Sequence, residues 1–103
     1  MRKYGRKDST QKAVEEAFRD AGWGCLDLSP MGNGCPDLLV CSPTGASLLI
    51  EVKGPDGTPT PDQTRFAERW PAAIYILRSA GDANALMSAV MLDGVEYAGE
   101  SIH

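Results

Sequence analysis

Apolar positions along the chain recur with two different spacings. Val14, Ala17, Phe18 and Ala21 follow i, i+3, i+4, i+7, the spacing of one helix face. Asp8, Ser9 and Thr10 precede them as N-cap candidates, and Gly22 supplies a stop, so a helix is predicted over about 9–21. Trp23 to Leu28 reads as a short strand, and Ser29 to Gly34 as a loop on its Pro and Gly content. Two stronger strand signals follow: Pro36–Cys41 (PDLLVC) and Ser47–Lys53 (SLLIEVK). The five residues Ser42–Ala46 between them suit a hairpin turn. A polar loop spans Gly54–Pro61, and Thr60 and Pro61 then open a second helix as N-cap and first helical residue. That helix carries Phe66 and Trp70 on one face and stops before Pro71. Ala73–Leu77 has the β-branched and aromatic content of a buried strand. Asp82–Leu92 is a third amphipathic helix with Leu86, Met87 and Val90 facing inward. The tail from Asp93 carries little signal and is expected to be weakly structured.

The order α-β-β-β-α-β-α predicts an α/β fold, a small mixed central sheet flanked by helices. The two central strands pair as an antiparallel hairpin, and the unit Ser47–Leu77 makes a right-handed crossover to a parallel neighbour. At 103 residues the chain has material for one domain and one modest core. No apolar run approaches the roughly 18 residues of a membrane span. The basic start MRKYGRK has no apolar stretch behind it, so it does not read as a secretory signal. The default setting is cytoplasmic, with no membrane partner.

Charge and cysteine content narrow the chemistry. A net charge of -4 counts mildly against nucleic-acid binding. The distribution softens this, because five of the ten basic residues lie in the first twelve. Arg2, Lys3, Arg6 and Lys7 form a basic arm that could contact DNA; the plain alternative is a solvated terminus. Cys25, Cys35 and Cys41 lack a CxxC spacing, and His103 is the only histidine. A structural zinc site and a Cys-His nucleophile pair both lack residues, and the cysteines read as small core side chains. Catalysis, if present, would run on carboxylates, a lysine and a bound cation.

Asp37, Glu51 and Lys53 are the informative set. Alternation along a strand puts Glu51 and Lys53 on one face while Ile50 and Val52 bury the other. A turn centred on Thr44 makes paired positions sum to 88, so Asp37 faces Glu51. Directly opposed residues have Cβ atoms about 4.5–5.5 Å apart, and two carboxylates so placed repel. A divalent cation between them reverses that sign, and hard oxygen ligands suit Mg²⁺ or Mn²⁺. Lys53, next on the same face, could polarise a water or stabilise charge on a phosphate. This is a plan for phosphodiester hydrolysis. The plain alternative is a hairpin with an edge-exposed Glu-Lys pair and a strand-opening Pro-Asp.

Pro36-Asp37, fourteen residues to Glu51, then Glu51-Val52-Lys53, resembles the PD-(D/E)xK nuclease signature. Together with Gly34-Cys35-Pro36-Asp37 and Thr60-Pro61-Asp62-Gln63, it looks like small phage and bacterial nucleases of the VRR-NUC and Holliday-junction-resolvase-like groups. The resemblance covers roughly residues 9–78 and implies a restriction-endonuclease-like core. It implies a metal-dependent DNA endonuclease, structure-selective on branched DNA, with Asp37, Glu51 and the Val52 carbonyl as metal ligands. Lys53 would be the catalytic lysine, and Gln63 matches a recurrent glutamine near the active site; its plain reading is solvation in the first turn. Family members often add an acidic residue from the first helix. Glu15, on the flank of the buried stripe, is the candidate, with Asp8 and Gln11 as competitors and Glu16 on the solvent side. A nicking or exonuclease activity is the alternative within enzymes, and a non-catalytic nucleic-acid-binding or interaction module the alternative outside them. Leu86, Met87, Val90 and Met91 carry more apolar surface than one small sheet covers easily, which suggests a homodimer.

Overall fold

The computed structural model describes residues 9–92 and 94–102. The N-cap candidate Asp8 and the basic arm Arg2, Lys3, Arg6 and Lys7 lie outside the described residues. Helix α1 (Ser9–Asp20) buries Val14 and Phe18 completely. It ends where Gly22 turns to φ 82°. The Trp23 N–H then donates to the Phe18 carbonyl at 3.0 Å and that of Gly22 to the Arg19 carbonyl at 3.0 Å. This pair satisfies carbonyls that the helix end would otherwise orphan. It also folds the Trp23 ring back onto Phe18, with centroids 5.5 Å apart.

Five strands follow: β1 (Gly24–Asp27), β2 (Leu38–Cys41), β3 (Ser47–Val52), β4 (Ile74–Leu77) and β5 (Glu100–Ile102). They form one sheet in the order β1-β2-β3-β4-β5, antiparallel except for the parallel pair β3/β4. A short 3₁₀ turn at Ser29–Met31 sits in the first loop. The fold is the mixed α/β sheet that the patterning implies. Helix α2 (Pro61–Glu68) makes the crossover between β3 and β4.

Alternation divides the sheet into two faces. Leu38, Val40, Ile50 and Leu77 join Val14 and Phe18 of α1 and Ala83, Leu86 and Met87 of α3 (Ala80–Met91) in the main core. Leu49 and Ile74 face the other way, against Ala67 and Phe66 of α2. By strand alternation Glu51 falls on the same face of β3 as Leu49.

Two expectations need correction. The tail is not merely weakly structured: β5 pairs with β4, setting Ile102 opposite Ile74 and Glu100 opposite Ile76. Tyr97 meets Tyr75 edge-on, with centroids 5.6 Å apart. Pattern reading misses such an edge strand because backbone hydrogen bonds hold it and only Ile102 of its three residues is apolar. The apolar surplus of the third helix is also smaller than expected. Leu86 and Met87 are buried in the chain's own core, Val90 packs against it, and Met91, Leu92 and Val95 remain exposed.

Arg78 ties the sheet's end together. Its Nε and Nη2 grip both oxygens of Glu100 at 2.6 and 3.0 Å. Its Nη1 donates to the carbonyls of Gly54 and Gly57 at 2.6 and 2.8 Å. A planar fork can reach both partners at once, and a lysine cannot. Arg78→Lys should therefore keep the fold but loosen the 54–57 loop, measured as faster amide hydrogen exchange there with little change at Ile50 or Leu77.

Candidate active site

The hairpin register places the two acids. Leu38 pairs with Ile50, Leu39 with Leu49 and Cys41 with Ser47, and continuing by one residue sets Asp37 opposite Glu51. Asp37 follows the fully buried Pro36. The Leu28 N–H holds its carbonyl at 2.7 Å. Its Oδ2 accepts the Val52 N–H at 2.8 Å, so the carboxylate caps the end of β3. Glu51 is 2% exposed. The Lys53 Nζ lies 3.7 Å from its Oε2, and the Lys53 N–H donates to the Leu77 carbonyl at 3.1 Å.

Gln63 completes the cluster through helix capping. The Thr60 N–H donates to Gln63 Oε1 at 2.9 Å, and Thr60 Oγ1 accepts the Gln63 N–H at 3.2 Å, a full capping box. With its carbonyl end engaged, the amide end must point the other way. Its Nε2 donates to Glu51 Oε2 at 2.7 Å. Helix start and active-site contact are thus one feature of one side chain. Gly34 permits it: at φ 82°, a Cβ there would fall 2.2 Å from the Asp62 carbonyl oxygen. Only glycine lets the 32–36 loop press against the first turn of α2.

The electrostatics follow from burial. Burial raises the Asp37 carboxyl above its ordinary range; the Val52 N–H and the Lys53 charge oppose the rise only in part. Burial first, and the Asp37 charge second, push Glu51 from 4.5 to about 8, against the pull of Lys53. Burial together with the Glu51 and Asp37 charges also raises the half-buried Cys35 thiol, so it stays protonated beside the acids.

The structure therefore brings Asp37, Glu51, Val52, Lys53 and Gln63 together. Glu15 is placed differently. It is 2% exposed in α1, and it accepts hydrogen bonds from Gln11 Nε2 and Arg19 Nη1, each at 3.0 Å. Gln11 also reaches Asp27 Oδ1 at 3.3 Å. Asp27 in turn is close enough for its charge to raise Asp37. Among the described residues, no three acidic, thiol or imidazole groups converge on one point. Asp27 and Cys35 are the site neighbours that sequence reasoning misses. The β1/β2 register sets Asp27 beside Leu38, and the long loop between those strands leaves that register unreadable.

Two opposed carboxylates, Asp37 and Glu51, are hard oxygen donors of the kind a divalent cation takes. No protein-family model matches the chain. A curated relative is "Putative nuclease p44" of Acyrthosiphon pisum secondary endosymbiont phage 1, 34% identical over 88 residues, spanning 82% of this chain and 95% of the phage protein. A solved structure described as a VRR_NUC domain superposes with a TM-score of 0.64 at 33% identity, covering 77% of this chain and 90% of the other. The chain belongs to the VRR-NUC nuclease family. For a VRR-NUC protein the five-stranded mixed sheet with three helices is the expected architecture.

The metal-free site has a pH signature. Glu51 titrates near 8 when folded and near 4.5 when unfolded, so the folded state holds its proton more tightly. Its contribution to stability is complete below about pH 4.5 and is lost as pH rises through about 8. In chelator, the melting temperature should fall between pH 5 and pH 8. Glu51→Gln, which carries no titrating proton, should flatten that slope in calorimetric scans across the same range.

Proposed function

We propose that this VRR-NUC chain is a Mg²⁺- or Mn²⁺-dependent endonuclease that hydrolyses DNA phosphodiester bonds, selective for branched DNA. The observation that carries the reading is the pair of carboxylates opposed on the hairpin, Glu51 buried and Asp37 half-buried, with Lys53 at 3.7 Å and Gln63 at 2.7 Å from Glu51. A hairpin surface alone gives no reason to bury two like charges side by side, because their repulsion and desolvation both cost stability.

Asp37, Glu51 and the Val52 carbonyl are the ligands for the cation, which when bound supplies Lewis acidity and acidifies a coordinated water. The residues do the rest. The Val52 N–H fixes the Asp37 carboxylate, and Gln63 fixes that of Glu51, so neither has to reorganise when substrate arrives. Lys53 holds its ammonium on the same face, where it can stabilise negative charge building on the phosphate. Glu15 is the first-helix candidate, acting through Gln11 and Asp27 at the edge of the site. Arg2, Lys3, Arg6 and Lys7 are the proposed DNA-contacting arm. The setting is the cytoplasm; among the described residues no helix is long and apolar enough to cross a membrane.

A branched junction has two-fold character, and a homodimer would set one site on each strand. The exposed apolar residues Met91, Leu92 and Val95 are the proposed contact. Light scattering at micromolar concentration tests it: a mass near twice 11.0 kDa is expected, and a monomer that fully cleaves four-way DNA overturns it.

The chemical reading is tested on linear, flapped, forked and four-way DNA with and without Mg²⁺. Cleavage should require the metal. Mg²⁺ should raise the melting temperature of the wild type but not of Asp37→Ala. Lys53→Ala should keep the metal-induced rise yet lose on the order of 10²–10³ in cleavage rate, the usual cost of one electrostatic stabiliser.

A further inference from the structure

A cavity of about 330 Å³ lies beside the site, lined by Asn33, Asp62, Arg65, Phe66, Arg69 and Trp70. Its size suits a group of small-molecule dimensions. It touches the site through one residue: Asp62 precedes Gln63, whose side chain holds Glu51. Phe66 packs against the smaller core cluster, where its ring is held in place. The Trp70 ring stacks on it with centroids 5.7 Å apart and planes at 25°. Trp70 remains 40% exposed. A large flat ring is thus held from beneath by the core and turned outward, a platform that loses little entropy on stacking another ring.

The cavity carries two positive charges, Arg65 and Arg69, against one negative, Asp62, in an otherwise acidic chain. Arg65 and Arg69 lie one helical turn apart, alternating with Phe66 and Trp70. Arg65 pairs with Asp62. Arg69 makes no ion pair among the described residues. An aromatic face beside guanidinium groups matches an unpaired nucleotide: the base stacks, and the flanking phosphates take the arginines. A base inside an intact duplex has no face to offer.

Resting on the nuclease reading of the adjacent site, we propose that this cavity binds an unpaired nucleotide of the DNA strand, its base stacked on Trp70 and its phosphates at Arg69 and Arg65. The pocket then supplies the preference for strands that leave the duplex, and it does so next to the carboxylates.

The full chain, in chelator so that no cleavage occurs, is titrated with oligothymidylate and with a blunt duplex of equal length while indole emission is followed. The chain has two tryptophans, and Trp23 is buried at 6% exposure, so quenching by DNA reports Trp70. Oligothymidylate should quench the wild type and bind more tightly than the duplex. Trp70→Leu should abolish the quench and weaken binding about tenfold, and Trp70→Phe should restore most of the affinity. Arg69→Gln, at an exposed position, should weaken binding and lower the salt dependence by about one ion. Oligothymidylate binding that Trp70→Leu and Arg69→Gln leave unchanged, or a wild type that prefers duplex, overturns the pocket. If Trp70→Leu misfolds, Arg69→Gln decides alone. Mg²⁺-dependent cleavage by the wild type is scored separately. A cleaving enzyme whose pocket variants bind normally refutes the pocket alone. A wild type that cleaves nothing but loses strand binding in both variants refutes the nuclease reading alone.

Discussion

Everything near the site depends on one unfavourable contact, a buried carboxylate, Glu51, opposed to a half-buried one, Asp37, across a hairpin. Asp37 and Glu51 face each other because the β2/β3 register makes them do so. Neither can escape: Asp37 is held by the Val52 N–H, and Glu51 is 2% exposed beneath α2. Burial first, and repulsion from Asp37 second, raise Glu51 to about 8. A site built this way holds a proton on Glu51 up to about pH 8.

The surroundings are arranged to sustain that pair. Gly34 lets the loop meet α2, the capping box of Thr60 and Gln63 starts the helix, and the same glutamine reaches Glu51. Helix initiation and active-site order are therefore coupled. Thr60→Ala, a change worth about 1 kcal/mol at an ordinary N-cap, would remove the Oγ1 acceptor of the Gln63 N–H but keep the backbone N–H that holds the Gln63 side chain toward Glu51. Arg78 works from the other side, holding the segment after Lys53 to β5. The tail thus contributes to the position of the lysine's own loop.

Much of the site is legible along the chain because it rests on local rules. A short turn sets a hairpin register, and register sets which residues face each other. Strand alternation puts Glu51 and Lys53 on one side, and Thr60-Pro61 marks a helix start that carries Gln63 with it. The partners that are not legible come through long loops. Asp27 approaches Asp37 across a ten-residue connection (28–37), and Cys35 comes near both acids through the Gly34 turn. Glu15 is recognisable as a flanking acid with i,i+4 partners Gln11 and Arg19 in its own helix, but the link from Gln11 on to Asp27 depends on how α1 lies against β1.

The sequence by itself determined the elements, the mixed topology of the central strands and the opposition of two acids with a lysine alongside. Periodicity, capping chemistry and turn length act between near neighbours, so they can be read without coordinates. Tertiary structure alone decided which apolar residues of α3 are covered, that Glu100–Ile102 closes the sheet edge, and that Phe66 props Trp70 beside Arg69. Each of these depends on packing between segments far apart in sequence. Their contact free energy appears only once the sheet exists to receive them.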